Sequence, residues 1–264
     1  MEFWLLYLAT GVFAGFLAGL LGVGGGLVIV PVLAFIFAAQ HFPEAQIMHL
    51  ALGTSLASIM FTSISSLRTH HEHGAVAWRV VRGIAPGIVI GTLAGAALAA
   101  QLSTHFLKVF FVVFLYYVAT QMVMNIKPKP SRELPGAVGM FAAGGVIGAV
   151  SSLVGIGGGT LSVPFMTWCN IKLHQSIGTS AAIGFPIAMA GAAGYVVNGW
   201  TVAGLPAHSL GFVYLPALAG LVVASVLTAP FGARLAHRLP VARLKKFFAL
   251  LLYVLGTRML VSLW

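Results

Sequence analysis

Residues 22–31 read Gly22-Val23-Gly24-Gly25-Gly26-Leu27-Val28-Ile29-Val30-Pro31 and interrupt an apolar run that would otherwise cross a membrane without a break. The pattern returns in residues 155–164, which read Gly155-Ile156-Gly157-Gly158-Gly159-Thr160-Leu161-Ser162-Val163-Pro164. Each glycine in a helix interior costs roughly 1 kcal/mol relative to alanine, so clusters of this kind are unfavourable there. Both stretches are therefore predicted to be places where a membrane helix unwinds.

Composition predicts an all-α, polytopic membrane protein. Hydrophobic residues make up 59% of the chain and charged residues 7%. Apolar segments of about 20 residues, the length that a bilayer core requires, follow one another with short connections. A net charge of +10 would suggest nucleic acid for a soluble protein, but here the basic residues lie between apolar segments and act as topology determinants, so no nucleic-acid partner is expected. No basic region precedes the first apolar segment, Phe3 to Leu21, which is therefore predicted to be retained.

The chain is predicted to hold two membrane repeats, residues 1–126 and 136–264, joined by a cytoplasmic linker at 127–135. Residues 11–31 and 144–164 share nine identities in 21 positions, and residues 98–122 and 235–259 share eleven in 25. We expect each repeat to contain four to five membrane helices, one of them a half-helix that begins at the glycine break. Whether the glycine-flanking helices span the membrane or re-enter it is left open.

The distribution of Lys and Arg predicts the orientation. Residues 68–82, 127–132 and 234–246 hold three, three and five of them, which places these segments in the cytoplasm. Equivalent loops of the two repeats then lie on opposite sides, so the repeats are inverted and both termini are outside. In the alternative, each glycine break lies within a single crossing and the repeats are parallel, but equivalent loops of very different charge would then share a side.

Inverted, broken helices would bring two helix N-termini together near the membrane midplane. Helix N-termini carry unpaired N–H groups and partial positive charge, so this arrangement predicts a binding site for a small anion. Close helix packing is the structural alternative for these glycines. The candidate binding residues are the loop glycines and the hydroxyls of a repeated Gly-Thr-Ser motif: Gly24, Gly25, Gly26, Gly157, Gly158, Gly159, Thr54, Ser55, Thr179 and Ser180.

The two glycine motifs, with Gly53-Thr54-Ser55 and its second copy at 178–180, resemble the TauE/SafE family of sulfite and organosulfonate transporters. The likeness covers nearly the whole chain. It implies a permease of the bacterial inner membrane built from two homologous halves, which moves sulfur-containing anions such as sulfite, sulfoacetate or aryl sulfonates. The motifs do not distinguish among these substrates or between the two directions of transport.

Histidines give weaker indications. His49 and His174 each precede a Gly-Thr-Ser motif by four residues, and they could meet the anion, accept a proton or cap a helix end. The tract at 70–73 has three histidines and one glutamate but lacks the spacing of a zinc site, so a solvated cytoplasmic loop is expected there. Arg68 could attract an anion or anchor its helix at the cytoplasmic side. No metal and no cofactor are predicted, and a dinucleotide fingerprint is excluded because no strand–helix alternation surrounds the glycines.

Energetics favour export as the predicted direction. Glutamates stand only at positions 2, 44, 72 and 133, outside the apolar spans, so a carboxylate proton relay is missing. An inside-negative potential assists the exit of an anion by about 2.3 kcal/mol per charge per 100 mV. We therefore expect an exporter that works by alternating access. Cation-coupled uptake and a membrane subunit without transport are the alternatives. Catalytic groups are not convincingly spaced within the spans, so no enzyme is predicted, and exposed small-residue stripes would permit a homodimer.

Overall fold

The structure is a computed structural model that describes residues 2–22, 24–124, 132–236 and 241–263. Val23, residues 127–131 of the predicted linker and residues 237–240 lie outside the described residues. The first half contains α1 (Glu2–Leu21), α2 (Gly26–Ala39), α3 (Ile47–Glu72), α4 (Trp78–Gln101) and α5 (Thr104–Val123). The second half contains α6 (Ala137–Val154), α7 (Gly159–Trp168), α8 (Leu173–Gly199), α9 (Leu215–Ala236) and α10 (Val241–Val261).

Two minor elements accompany the helices. A 3-10 turn at Glu44–Gln46 precedes α3, and two antiparallel strands, β1 (Ser209–Leu210) and β2 (Val213–Tyr214), precede α9. Seven helices of the described chain are long and apolar enough to cross a membrane, namely α1, α3, α4, α5, α6, α8 and α9. The prediction of an all-α polytopic membrane protein is thereby confirmed.

Two helices are too short to cross a bilayer. α2 has 14 residues and α7 has 10, against the roughly 20 that a standard crossing requires. α2 runs back toward the end of the molecule where α1 begins. This direction is shown by Gln40, just after α2, whose Nε2 donates a hydrogen bond of 2.9 Å to the Tyr7 hydroxyl. α1 and α2 therefore form a hairpin of one long and one short helix rather than a single interrupted crossing.

α3 extends further than the sequence predicts. The tract at 70–73 was expected to be a loop, but the helix continues to Glu72, and Arg68 is exposed on its penultimate turn. His70 lies on the buried face of this extension, where its Nε2 is 3.2 Å from the Gly19 carbonyl oxygen of α1. The prediction of a solvated loop is thus wrong for His70, because one face of the helix end packs against α1.

Glycine stripes join the two halves. α1 and α9 run parallel in close contact, since Gly11, Gly15 and Gly19 face Leu221, Ser225 and Ala229 in the same order. α4 and α6 make the equivalent parallel contact, in which Gly87, Gly91 and Gly95 face Phe141, Gly145 and Ala149. These stripes, from which a homodimer was considered, are covered by other helices of the same chain.

The centre of the molecule is the crossing of α3 and α8. The two helices are antiparallel, since Leu56 lies against Gly191 and Ser63 lies against Gly184. α5 and α10 are also antiparallel and are joined by hydrogen bonds between Tyr116 and Thr257 (2.8 Å) and between Thr120 and Tyr253 (2.7 Å). The two hydrogen bonds are equivalent, because the repeat alignment pairs Tyr116 with Tyr253 and Thr120 with Thr257.

Candidate functional site

Each glycine stretch forms a tight loop between a long helix and a short one. The first loop connects α1 to α2 with positive φ at Gly22, Gly24 and Gly25, and the second connects α6 to α7 with positive φ at Gly155 and Gly158. Side chains other than glycine adopt this left-handed region only at a cost, which explains the glycine requirement. The predicted unwinding at both stretches is therefore present in the structure.

The loops lie deep in the molecule rather than at its surface. Gly25 caps the start of α2 and lies against Ala14, in the middle of α1, while Gly158 caps the start of α7 and lies against Ile147, in the middle of α6. Both short helices consequently begin about halfway along a membrane-length neighbour.

The two loops touch each other. A Cβ atom built on Gly24 would be 2.9 Å from both the Cα and the N atom of Gly157, and one built on Gly26 would collide with the carbonyl oxygen of Gly155. Gly159, the first residue of α7, is also buried. Gly24 and Gly26 of the predicted site therefore contact the second loop backbone against backbone, whereas Gly25 and Gly158 lie against Ala14 and Ile187 of their own halves.

The start of each short helix has backbone amides without an intrahelical acceptor. The intrahelical hydrogen bonds begin with Val28 and Ile29, which donate to the Gly25 carbonyl, and with Leu161 and Ser162, which donate to the Gly158 carbonyl. The two amides that precede each of these pairs have no intrahelical acceptor, as in the first turn of any α-helix. Two partially positive helix ends thus lie together among apolar surroundings.

The Gly-Thr-Ser hydroxyls bind the two halves to each other. Ser55 donates a hydrogen bond of 2.8 Å to the Gly155 carbonyl in the second loop, and Ser180 donates one of 3.0 Å to the Gly22 carbonyl in the first. Each serine therefore holds the loop of the opposite half, in a reciprocal arrangement.

The threonines of the motif have a different role. Thr54 accepts a hydrogen bond from the Tyr214 amide, and Thr179 accepts one from the Ala77 amide, both at 2.9 Å. These amides lie directly ahead of α9 and α4. Thr54 of the first half therefore holds the start of α9 in the second half, and Thr179 of the second half holds the start of α4 in the first. The four hydroxyls were predicted to face an anion, whereas the hydrogen bonds that the structure gives them are to backbone groups.

A narrow cavity of about 10 Å³, room for a single water-sized group, borders both glycine loops. It lies beside the half of α3 that follows Ile59, on the side of the loops toward Arg68. Glycine backbone and hydroxyl groups share its lining, which includes Gly22, Gly24, Gly157, Gly184, Thr62, Ser63, Ser66 and Ser180.

Three of these hydroxyl residues, Thr62, Ser63 and Ser66, were missed by the sequence analysis. Their signal was available, because Ser58, Thr62, Ser66 and Thr69 recur at three- or four-residue spacing and so share one face of α3. Spacing alone does not show what that face contacts.

His49 and His174, the two candidate histidines, do not lie beside the glycine loops. His49 is buried near the start of α3, with its Nε2 3.0 Å from the Ala99 carbonyl at the end of α4 and its ring stacked on Phe212. It borders a wider cavity at that end of the molecule together with Lys108. His174 is exposed near the start of α8. Contact with a helix-end carbonyl agrees with the helix-capping interpretation of His49.

Comparison with known proteins identifies the family. The profile described as "Sulfite exporter TauE/SafE" matches residues 7–259. A probable membrane transporter protein of Haemophilus influenzae is 40% identical over 97% of this chain and 98% of its own length. A probable membrane transporter protein of Methanocaldococcus jannaschii is 24% identical over 97% of this chain and 94% of its own length.

No solved structure matches the chain. Family and relatives alike are described as transporters rather than enzymes, and the seven apolar helices agree with a multi-pass location for which a bacterial inner membrane fits. The chain is a membrane transporter that belongs to the sulfite exporter TauE/SafE family.

Proposed function

We propose that this protein carries small sulfur-containing anions, either sulfite or a short organosulfonate such as sulfoacetate, out of the cell. The observation that carries the proposal is the contact between the two glycine loops, where the N-termini of α2 and α7 meet inside the molecule. Backbone amides at paired helix starts can hold an anion without a buried lysine or arginine, which would be costly in hydrocarbon.

The cavity beside the loops supports a small substrate. Its lining near the glycines consists of backbone, small side chains and hydroxyls, which suit an oxyanion head group. Its volume of about 10 Å³ admits only a water-sized group, so every one of these anions requires the cavity to widen. Sulfite, the smallest of them, requires the least widening.

Alternating access between inverted repeats is the proposed mechanism. It is supported by equivalent contacts in the two directions. α1 packs on α9 as its equivalent α6 packs on α4, and α4 packs on α8 as its equivalent α9 packs on α3. On the His49 side of the loops, Leu52, Leu56 and Tyr195 are fully buried and Gly53 lies against Phe212. We propose that substrate reaches the loops from the Arg68 end when the cavity widens, and that the packing on the His49 side opens in the opposite-facing conformation.

Flux measurements in proteoliposomes test the proposal. Purified protein is reconstituted at a defined membrane potential, and radiolabelled sulfite counterflow is followed with sulfoacetate and sulfate as competitors. Export requires flux that follows the potential without a cation gradient. Flux that depends on a sodium or proton gradient would indicate coupled uptake instead, and the absence of flux for every sulfur anion would contradict the proposed substrate class.

A further inference from the structure

We infer that the hydroxyl of Ser66 on α3 is a direct ligand of the transported oxyanion, donating a hydrogen bond to one of its oxygens in the cavity beside the glycine loops. This inference rests on the proposed function and adds a binding residue from outside both repeated motifs. Ser66 lines the cavity, is 2% exposed, and has a buried Oγ without a hydrogen-bond partner among the described residues.

Neighbouring hydroxyls on the same helix behave differently. Those of Ser58, Thr62, Ser63 and Thr69 donate to carbonyls three or four residues back on α3. That arrangement is the usual way in which a hydroxyl is satisfied within a membrane helix. Ser65 instead donates a hydrogen bond of 2.9 Å to the Val226 carbonyl of α9. Ser66 departs from both patterns.

An unpaired hydroxyl in a membrane interior is costly, so its position requires a reason. Removing this one would not break any hydrogen bond within the described part of the protein. A ligand that accepts from it while the substrate is bound would supply such a reason. Among the hydroxyls of α3 that line the cavity, Ser66 is the one whose Oγ has no hydrogen-bond partner within the described residues.

The surroundings favour an anion rather than a cation as that partner. The helix starts that meet beside the cavity carry partial positive charge, and its lining residues include no Asp or Glu. A hydroxyl can donate to an oxyanion but can only offer a lone pair to a cation. The cavity offers an oxyanion of the sulfite type the Ser66 hydroxyl together with glycine backbone from both loops.

The second half lacks an equivalent group. When the Gly-Thr-Ser motifs are aligned, Ser66 corresponds to Gly191, and Thr62 and Ser63 correspond to Ile187 and Ala188. The hydroxyls that line the cavity are therefore unequal between the halves, with Thr62, Ser63 and Ser66 on α3 against Ser180 on α8. We accordingly expect the bound anion to lie nearer the first half.

Kinetics of the Ser66→Ala variant test this inference. In proteoliposomes we expect the KM for sulfite to rise about tenfold or more, since a hydrogen bond to a charged group is lost. Ser66→Thr keeps a hydroxyl and should restore a KM near that of the wild type. Ser58→Ala is the matched control, because the Ser58 hydroxyl is buried on the same helix but donates to its own backbone and does not line the cavity.

A second readout separates binding from a structural role. The melting temperature of ligand-free Ser66→Ala should equal or exceed that of the wild type, because no internal hydrogen bond is lost, whereas the increase produced by added sulfite should shrink. An unchanged KM together with an unchanged sulfite-induced shift would overturn the role of Ser66 and leave the proposed function standing. A wild-type protein that neither transports nor binds sulfite would overturn both.

Discussion

At the scale of single residues, the site depends on two kinds of contact between the halves. Glycine backbones pack so closely that a Cβ atom would collide, and serine hydroxyls donate hydrogen bonds to carbonyls of the opposite half. Ser55 has one acceptor, the Gly155 carbonyl, at 2.8 Å. Ser180 lies within hydrogen-bonding distance of two carbonyls, those of Gly22 at 3.0 Å and Ile177 at 2.7 Å, and the second belongs to its own helix. The two equivalent serines therefore differ in how far they depend on the opposite loop.

This difference predicts unequal effects of Ser55→Ala and Ser180→Ala. Loss of the Ser55 hydroxyl removes an undivided hydrogen bond to the opposite loop, and we expect a decrease in stability of about 1 kcal/mol. Ser180→Ala should cost less, because its hydroxyl is shared with a carbonyl of α8. Thermal unfolding of both variants in one detergent measures the difference. A larger loss for Ser180→Ala would contradict the assigned geometry.

The role of a single residue could be predicted from the sequence only where the backbone conformation requires one residue type. The positive φ at Gly24 and Gly158 requires glycine, so the loops are visible in the sequence. The role of Ser66 is not, because a serine in a membrane helix normally satisfies itself on its own backbone. Only the three-dimensional structure shows which serine departs from that rule.

At the scale of the elements, helix pairs approach so closely that a glycine Cα replaces a side chain at the contact. α4 and α6 show this within a two-residue stretch. A Cβ on Gly144 would meet the Ile84 carbonyl, whereas a Cβ on Gly145 would meet only the Gly87 carbonyl, at 3.9 Å. Adjacent glycines of one helix thus differ in what they contribute.

Gly144→Ala and Gly145→Ala form a matched pair for this contact. We expect Gly144→Ala to lower stability by about 1–3 kcal/mol, because the added methyl group forces α4 and α6 apart. Gly145→Ala should be neutral or stabilising by up to about 1 kcal/mol, since alanine is the better helix former. Chemical or thermal denaturation in the same detergent compares them. Equal losses for the two variants would mean that helix spacing does not depend on Gly144.

Sequence predicted the elements better than their partners. Small-residue stripes indicated that helices such as α1 could pack closely, but not whether the partner was α9 or a second chain. The end of α3 was predicted too early, because the polar tract at 70–73 was taken to be a loop. The backbone of a charged residue near a helix end can stay helical, because its long side chain extends until the charge reaches the membrane surface.

At the scale of the whole molecule, the contacts between halves imply that equivalent helices run in opposite directions. α1 is parallel to α9 and α6 is parallel to α4, while α3 opposes α8 and α5 opposes α10. The predicted inverted repeats agree with all four relations, and their orientation across the membrane stays a prediction.

Cysteine accessibility tests this topology. The single cysteine, Cys169, is buried and can be replaced by serine to give a silent background. On that background, Ala207→Cys should react in intact cells with a membrane-impermeant maleimide, whereas Glu72→Cys should react only after permeabilisation. Both positions are exposed, Glu72 as the last residue of α3 and Ala207 in the connection that follows the equivalent helix, α8. Labelling of both from the same side would exclude inverted repeats.

The central claim is that a sulfur oxyanion binds where the two glycine loops meet, and Gly24→Ala tests it most directly. The added methyl group would lie against Gly157, whereas Gly74→Ala, the control, occupies a similar positive φ with nothing within 4 Å. Titration calorimetry of sulfite into purified, nanodisc-embedded protein should show binding to the wild type and to Gly74→Ala, and at least tenfold weaker binding to Gly24→Ala. Equal sulfite affinity in all three proteins would place the binding site elsewhere.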